Sequence, residues 1–215
     1  MKITIRKWSD YSENDKLRMF QRSETDISEV SASVADIIEQ VRLRGDEALI
    51  EFSRRFDKAD LNSIPLQVQP EEFTAAEAAL PAKLKDSIRF AIDTVWDFHL
   101  AQKPESISMK ELHPGLIAGE RALPIDSAGL YVPRGRGSFP SMLYMLAVPA
   151  RIAGVPKLQI VTPPNPDGSV DAACLYAARH IGTEEVFRVG GAHAVAALAY
   201  GSKSIDPVLK VVGPG

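Results

Sequence analysis

The stretch from Phe187 to Gly215 constrains the fold more than any other. It opens Phe187-Arg188-Val189-Gly190-Gly191-Ala192-His193-Ala194, runs on through alanines to Gly201, and closes on Lys210-Val211-Val212-Gly213-Pro214-Gly215. A short apolar strand, a glycine pair, an alanine-rich helix and a second strand are the parts of a βαβ unit. The glycine turn places backbone N–H groups and the positive end of a helix dipole at the carboxyl end of a strand. Open α/β sheets bind phosphate-bearing cofactors at that edge. The sequence ends on a turn at the same edge, so a part of a larger machine is expected.

At 215 residues the chain has room for one large domain or two small ones. Its formal net charge of -3, without a long like-charged run, argues against a nucleic-acid partner held by phosphate neutralisation. The start, Met1-Lys2-Ile3-Thr4-Ile5-Arg6-Lys7-Trp8, lacks the apolar run of a signal peptide. No segment is long and apolar enough to span a membrane, so no membrane association is expected. Cys174 is the single cysteine, which rules out an intrachain disulfide. Among Ala172, Ala173, Leu175 and Ala177 it reads as a small core residue. A reducing, cytoplasmic setting fits.

Residues 1 to about 112 read as mostly helical. Val34, Ile37, Ile38 and Val41 fall at helical spacing before Gly45. Asp46 is placed to cap the next helix, which carries Leu49, Phe52 and Phe56. Pro70-Glu71-Glu72 opens a third helix. Leu84, Ile88, Ala91, Ile92, Val95, Trp96 and His99 form the stripe of a fourth. Leu116 to Ala118 and Leu130 to Val132 read as strands. Helices are then expected over 141–153, 169–180 and 191–200, alternating with strands over 158–161, 185–189 and 208–212. That alternation means a mainly parallel sheet and an α/β fold. The boundary between the two styles falls near residues 122–128, giving domains 1–125 and 126–215.

Two loops are candidates for chemistry. Tyr131-Val132-Pro133-Arg134-Gly135-Arg136-Gly137-Ser138-Phe139-Pro140-Ser141 links a strand to a helix, with glycines for close approach and arginines that suit a phosphate. Ser138 or Ser141 could cap that helix, and an ordinary loop with surface arginines is equally compatible. No dinucleotide fingerprint Gly-x-Gly-x-x-Gly follows a strand in its usual form. In Gly190-Gly191-Ala192-His193 the histidine stands in the first helical turn, where the dipole favours neutral imidazole. Such a ring could hydrogen-bond a ligand; a plain surface histidine is the alternative. His99 reads as a core or interface histidine, His113 as a loop residue and His180 as a helix end. No zinc-ligand spacing and no Gly-x-Ser-x-Gly elbow is present. Arg44-Gly45-Asp46 reads as a helix junction.

Taken in order, several of these segments resemble histidinol dehydrogenases. Arg44-Gly45-Asp46-Glu47-Ala48-Leu49 and Phe56-Asp57-Lys58 match the family's N-terminal helices, and Phe98-His99-x-x-Gln102 the end of its long helix. Gly129-Leu130-Tyr131-Val132-Pro133, Pro140-Ser141, Pro149-Ala150-x-x-Ala153-Gly154-Val155 and Thr162-Pro163-Pro164 follow at family spacing. Val189-Gly190-Gly191-Ala192-x-Ala194-x-Ala196-Ala197-Leu198-Ala199-x-Gly201 and Val212-Gly213-Pro214-Gly215 complete the set. The matches cover nearly the whole chain and roughly the first half of the family's length.

The resemblance implies a helical N-terminal segment followed by an incomplete Rossmann-like parallel βαβ domain. It implies a homodimeric, zinc-dependent, NAD-linked enzyme that oxidises L-histidinol twice, through an aldehyde, to L-histidine. Tyr131 and His193 take the positions of NAD contacts. The family normally has Gln at the second, and a neutral imidazole replaces one amide hydrogen bond but not both. Arg134 stands where many members have Gly. The family's next NAD contact, an Asn, comes directly after Gly-Pro-Gly. Its zinc ligands, Glu-His acid/base pair and most substrate contacts lie in its second half, and none maps onto these residues. No catalytic or metal-binding residue is therefore assigned here, and the chain alone is expected to be catalytically silent. Exposed apolar surface and association are also expected. Two other readings stay open: a paralogue acting on another small polar alcohol such as a sulfonated diol, and a non-catalytic nucleotide-binding or assembly module.

Overall fold

A computed structural model describes residues 6–20, 27–134, 137 and 139–214, with residues 18 and 27–30 as backbone only. Gly135, Arg136, Ser138 and Gly215 of the candidate loops lie outside the described residues. The chain divides into two compact units, 1–36 and 37–215. In the first, a 3-10 turn at Trp8–Asp10 precedes helix α1 (Glu13–Phe20). Trp8 meets Phe20 edge-on at 5.9 Å, and Lys16 sits over its ring.

Helix α2 (Ile27–Arg44) runs from the first unit into the second and stops at Gly45, whose φ of 54° no β-carbon residue adopts readily. Gly45, not Asp46, is the N-cap of α3 (Asp46–Phe52). The Asp46 carboxylate instead accepts from the backbone N–H and hydroxyl of Ser204, at 3.2 and 2.6 Å, tying α3 to a distant loop. A five-residue π turn, Ser53–Asp57, follows and ends on Lys58 in the left-handed region. Helix α4 (Pro70–Ala79) starts as its Pro-Glu-Glu predicts, with Gln69 and Glu72 forming a reciprocal cap. Helix α5 (Ala82–Gln102) buries Ile88 and Ile92, while Leu84 and Trp96 of the same stripe keep 41% and 36% exposure.

Strand β1 (Ile107–His113) lies where a helical region was expected. It pairs antiparallel with β2 (Leu116–Arg121), and both strands are exposed along their whole length. Ile107-Ser108-Met109-Lys110 alternates apolar and polar residues, but Glu111-Leu112 breaks the period and the run is short.

The central sheet is parallel, in the order β5-β4-β3-β6, built from β3 (Ser127–Tyr131), β4 (Lys157–Val161), β5 (Val186–Phe187) and β6 (Lys210–Val212). Helices α6 (Pro140–Ala153), α7 (Ala172–Ile181) and α8 (Gly191–Tyr200) connect these strands. Strand β5 is shorter than the 185–189 expected, and its outer side bonds to another segment. Val68 N–H donates to Val186 O and Arg188 N–H to Leu66 O, at 2.8 and 2.9 Å. The sheet separates two cores. Ala128, Leu130, Leu158 and Ile160 face α4–α7, and Val161 and Phe187 face α3 and α8. Cys174 is buried in the first core, as expected. Gly129 lets α8 lie close, because a β-carbon there would meet Leu198 at 2.7 Å. No described helix is long and apolar enough to cross a membrane.

Candidate functional site

The loops leaving β3, β4 and β5 and the turn after β6 gather at the carboxyl edge of the sheet. Strand order reverses between β3 and β6. The chain moves outward from β3 to β5, then returns to β3's other side. The crevice outside two such strand ends is the ligand position of open α/β sheets. Tyr131 ends β3 at this point, half-buried at the rim of the core beneath α8. Gly213 leaves β6 directly past it: a β-carbon on Gly213 would come within 2.6 Å of Tyr131 O and 2.8 Å of Tyr131 Cβ.

Three helices start at this edge. Helix α7 is capped by Asp171, whose carboxylate accepts from Cys174 N–H at 3.0 Å. The N-cap residues of α6 and α8, Phe139 and Gly190, supply no side-chain hydrogen bond. Ser141 lies inside α6, so it is not the cap. Neither N-cap residue brings a side-chain anion to its helix N-terminus, an arrangement that suits a pyrophosphate. Gly190 is packed tightly, since a β-carbon there would lie 2.3 Å from Pro163 Cγ. Arg134 Nη1 donates to Pro164 O at 2.9 Å and joins the loops after β3 and β4.

His193 occupies the first turn of α8, as expected, but its ring is inside the protein at 1% exposure. The ring centroid is 5.6 Å from that of Phe52 and 6.1 Å from that of Phe56. Neither ring nitrogen has a hydrogen-bond partner. The plain surface reading of His193 therefore fails. Its neutrality has a different cause from the helix dipole: burial lowers the pKa to about 4. Tyr131 and His193 lie on the same face of the sheet, since Tyr131 borders the core that contains Phe52.

Sequence reading missed Arg188, which is 1% exposed at the end of β5. Its Nη1 donates to Glu72 Oε2 at 3.0 Å and to Gly168 O at 2.8 Å, and Nη2 reaches Glu72 Oε1 and Gln67 O. Burial pushes the Glu72 carboxyl up, but the Arg188 hydrogen bond, the Gln69 N–H and the Arg188 charge together hold it below the usual range. One side chain thus ties α4, the segment before it and the loop after β4 to the strand that leads into Gly190-Gly191. An arginine directly after a buried strand was the available signal.

The remaining histidines stand apart. His99 is half-buried on α5, His113 ends β1 and His180 stacks on Tyr176 in α7. Among the described residues no three His, Cys, Asp or Glu side chains gather into a metal-binding group.

Residues 20–215 match the family profile described as histidinol dehydrogenase. The chain belongs to the histidinol dehydrogenase family. A "Histidinol dehydrogenase homolog" of Rhizobium meliloti (strain 1021) is 51% identical over 99% of this chain and 47% of its own length. A "Histidinol dehydrogenase" of Methanothermobacter thermautotrophicus is 44% identical over 100% of this chain and 49% of its own. The crystal structure of histidinol dehydrogenase from Elizabethkingia anophelis superposes with a TM-score of 0.82 at 32% identity, covering 86% of this chain and 42% of that one. The chain spans about half the length of the histidinol dehydrogenases and homologs it matches. The mixed α/β fold with its four-stranded parallel sheet is the fold of this family.

Proposed function

We propose that this chain forms the NAD-binding part of a histidinol dehydrogenase-type oxidoreductase that converts L-histidinol to L-histidine in histidine biosynthesis. The observation that carries the reading is the strand reversal beside Tyr131, flanked by the N-termini of α6 and α8. Bound NAD would supply the hydride acceptor. Tyr131 lines the crevice, the two helix N-termini take the pyrophosphate charge, and Gly190-Gly191 keeps the backbone narrow. His193 supports this edge from the first turn of α8.

Zinc chemistry is assigned to none of these residues, because the family resemblance carries no ligand onto them. The assembly is a homodimer acting on a small-molecule substrate in the cytoplasm. The chain by itself then binds NAD without oxidising L-histidinol. Calorimetry with NAD tests the first half of that statement, and a binding-silent, folded chain overturns it. NADH formation with L-histidinol, NAD and zinc tests the second, and steady turnover by this chain overturns it.

A second reading keeps the cofactor and changes the alcohol. It is favoured by His193, an apolar-packed histidine at a position where the family resemblance calls for Gln. A panel of small polar alcohols, offered to an enzyme joining this chain to a zinc-binding half, separates the two.

A further inference from the structure

We propose that Asp57 is the specificity-determining residue of the dinucleotide site: its carboxylate accepts a hydrogen bond from the adenosine 2′-hydroxyl of NAD and excludes the 2′-phosphate of NADP. This rests on the dinucleotide reading given above and names which dinucleotide the site takes.

Four observations converge on Asp57. It closes the π turn Ser53–Asp57, a wide turn that recurs at functional sites in helices. The next residue, Lys58, has a φ of 64°, the single non-glycine positive φ among the described residues. Such strained backbone persists where the surroundings hold a side chain in a required place. Second, Asp57 lies at the cofactor edge. The charge of Arg134, in the loop after β3, acts on it, and Arg134 itself bridges to Pro164 in the loop after β4. The neighbouring Phe56 ring is 6.1 Å from His193 in the first turn of α8. The carboxylate thus lies within the field of the loop after β3, and the residue before it packs against the start of α8.

Third, Asp57 Oδ2 is buried without a hydrogen-bond partner. A buried carboxylate oxygen with no donor is destabilising, so a donor arriving with the ligand binds well there. Burial raises the carboxyl pKa against the pull of Arg134, consistent with an acceptor short of donors. Fourth, the arginine whose charge acts on it does not satisfy it: Arg134 Nη1 donates to Pro164 O. A sugar hydroxyl brings the missing donor and no charge. A phosphate brings no donor and two negative charges beside a carboxylate, and the field of Arg134 is already shared by Asp57 and Asp167. An acidic residue on the adenosine 2′-hydroxyl is how dinucleotide sites select the unphosphorylated cofactor.

Calorimetric titration of the chain with NAD and with NADP tests this directly. The unaltered protein is expected to bind NAD at least about tenfold more tightly than NADP, because a site built around a hydroxyl donor rejects analogues lacking it. In Asp57→Asn the ratio is expected to collapse towards one, with NADP bound more tightly than by the unaltered protein. A folded Asp57→Asn protein with an unchanged ratio overturns the proposal. If that variant does not fold, 2′-deoxy-NAD serves with the unaltered chain: about tenfold weaker binding than NAD supports the assignment, and equal binding overturns it. NAD binding without preference over NADP sinks the role of Asp57 alone. Binding of neither dinucleotide sinks the cofactor reading with it.

Discussion

Arg188 meets Glu72 across 116 residues of sequence, Nη1 donating to Oε2 at 3.0 Å from a position almost sealed from solvent. The pair joins the last strand before the glycine turn to a helix of the N-terminal half. Glu72 also accepts from Gln69 N–H at 2.9 Å, so the acid that caps α4 is the acid that holds β5.

Replacing Arg188 by Met removes one partner of this pair and strands the Gly168 and Gln67 carbonyls as well. Breaking a buried pair costs about 3–5 kcal/mol, and the low end applies because Glu72 keeps a third of its side chain in water. Urea denaturation is expected to show a loss of about 3 kcal/mol. Glu72→Gln retains hydrogen-bonding capacity and should lose less.

His193 gives the fold a dependence on acid. Its pKa is about 4 in the folded chain against an ordinary 6.5, because burial disfavours the charged ring. Between those values the unfolded chain binds a proton that the folded chain refuses, so stability falls as pH drops from about 6.5 to 4 and levels off below. Each pH unit inside the window is worth about 1.4 kcal/mol at most. Above pH 7 the ring contributes no slope. Denaturation curves of the unaltered chain and of His193→Gln, taken across this range, should diverge in slope between pH 4 and 6.5; parallel curves would rule the effect out.

Gly190→Ala tests the packing of the glycine turn. The new methyl group would press into the ring of Pro163, at 2.3 Å from Cγ and 2.7 Å from Cβ, and a proline ring cannot rotate away. Overpacking of this kind costs about 1–3 kcal/mol. Thermal melts should fall, and NAD affinity, read by calorimetry, should fall with them.

Leu198→Ala tests how α8 is held. Leu198 is fully buried and its side chain fills the space over Gly129. Truncation leaves a cavity that the glycine cannot close, and leucine-to-alanine changes in cores cost about 2–5 kcal/mol. Guanidinium denaturation reads the loss directly.

The alternating half of the chain was legible because its signals are local. Helix α8 begins and ends where Gly191 and Gly201 predict, and α6 is within one residue of expectation. The N-terminal half was legible as helices but not in its details. Strand β1 has no buried face, and its alternation from Ile107 to Lys110 is cut short by Glu111-Leu112, too brief to stand out beside the helices before it. Asp46 looks like a cap from its neighbours alone, and only the arrival of Ser204 assigns its carboxylate elsewhere. His193 reads as a surface residue until Phe52 and Phe56, far away in sequence, close over it. Arg188 reads as a charge in an apolar run until Glu72 answers it. Local propensity sees the turn that presents each residue, and long-range packing decides what that residue meets.

The segment 66–68 has a consequence for how this architecture can grow. By bonding to Val186 and Arg188 it covers the outer flank of β5. At the other end of the described sheet β6 is the outermost strand, so a polypeptide that pairs alongside Lys210–Val212 would stand one strand away from Tyr131.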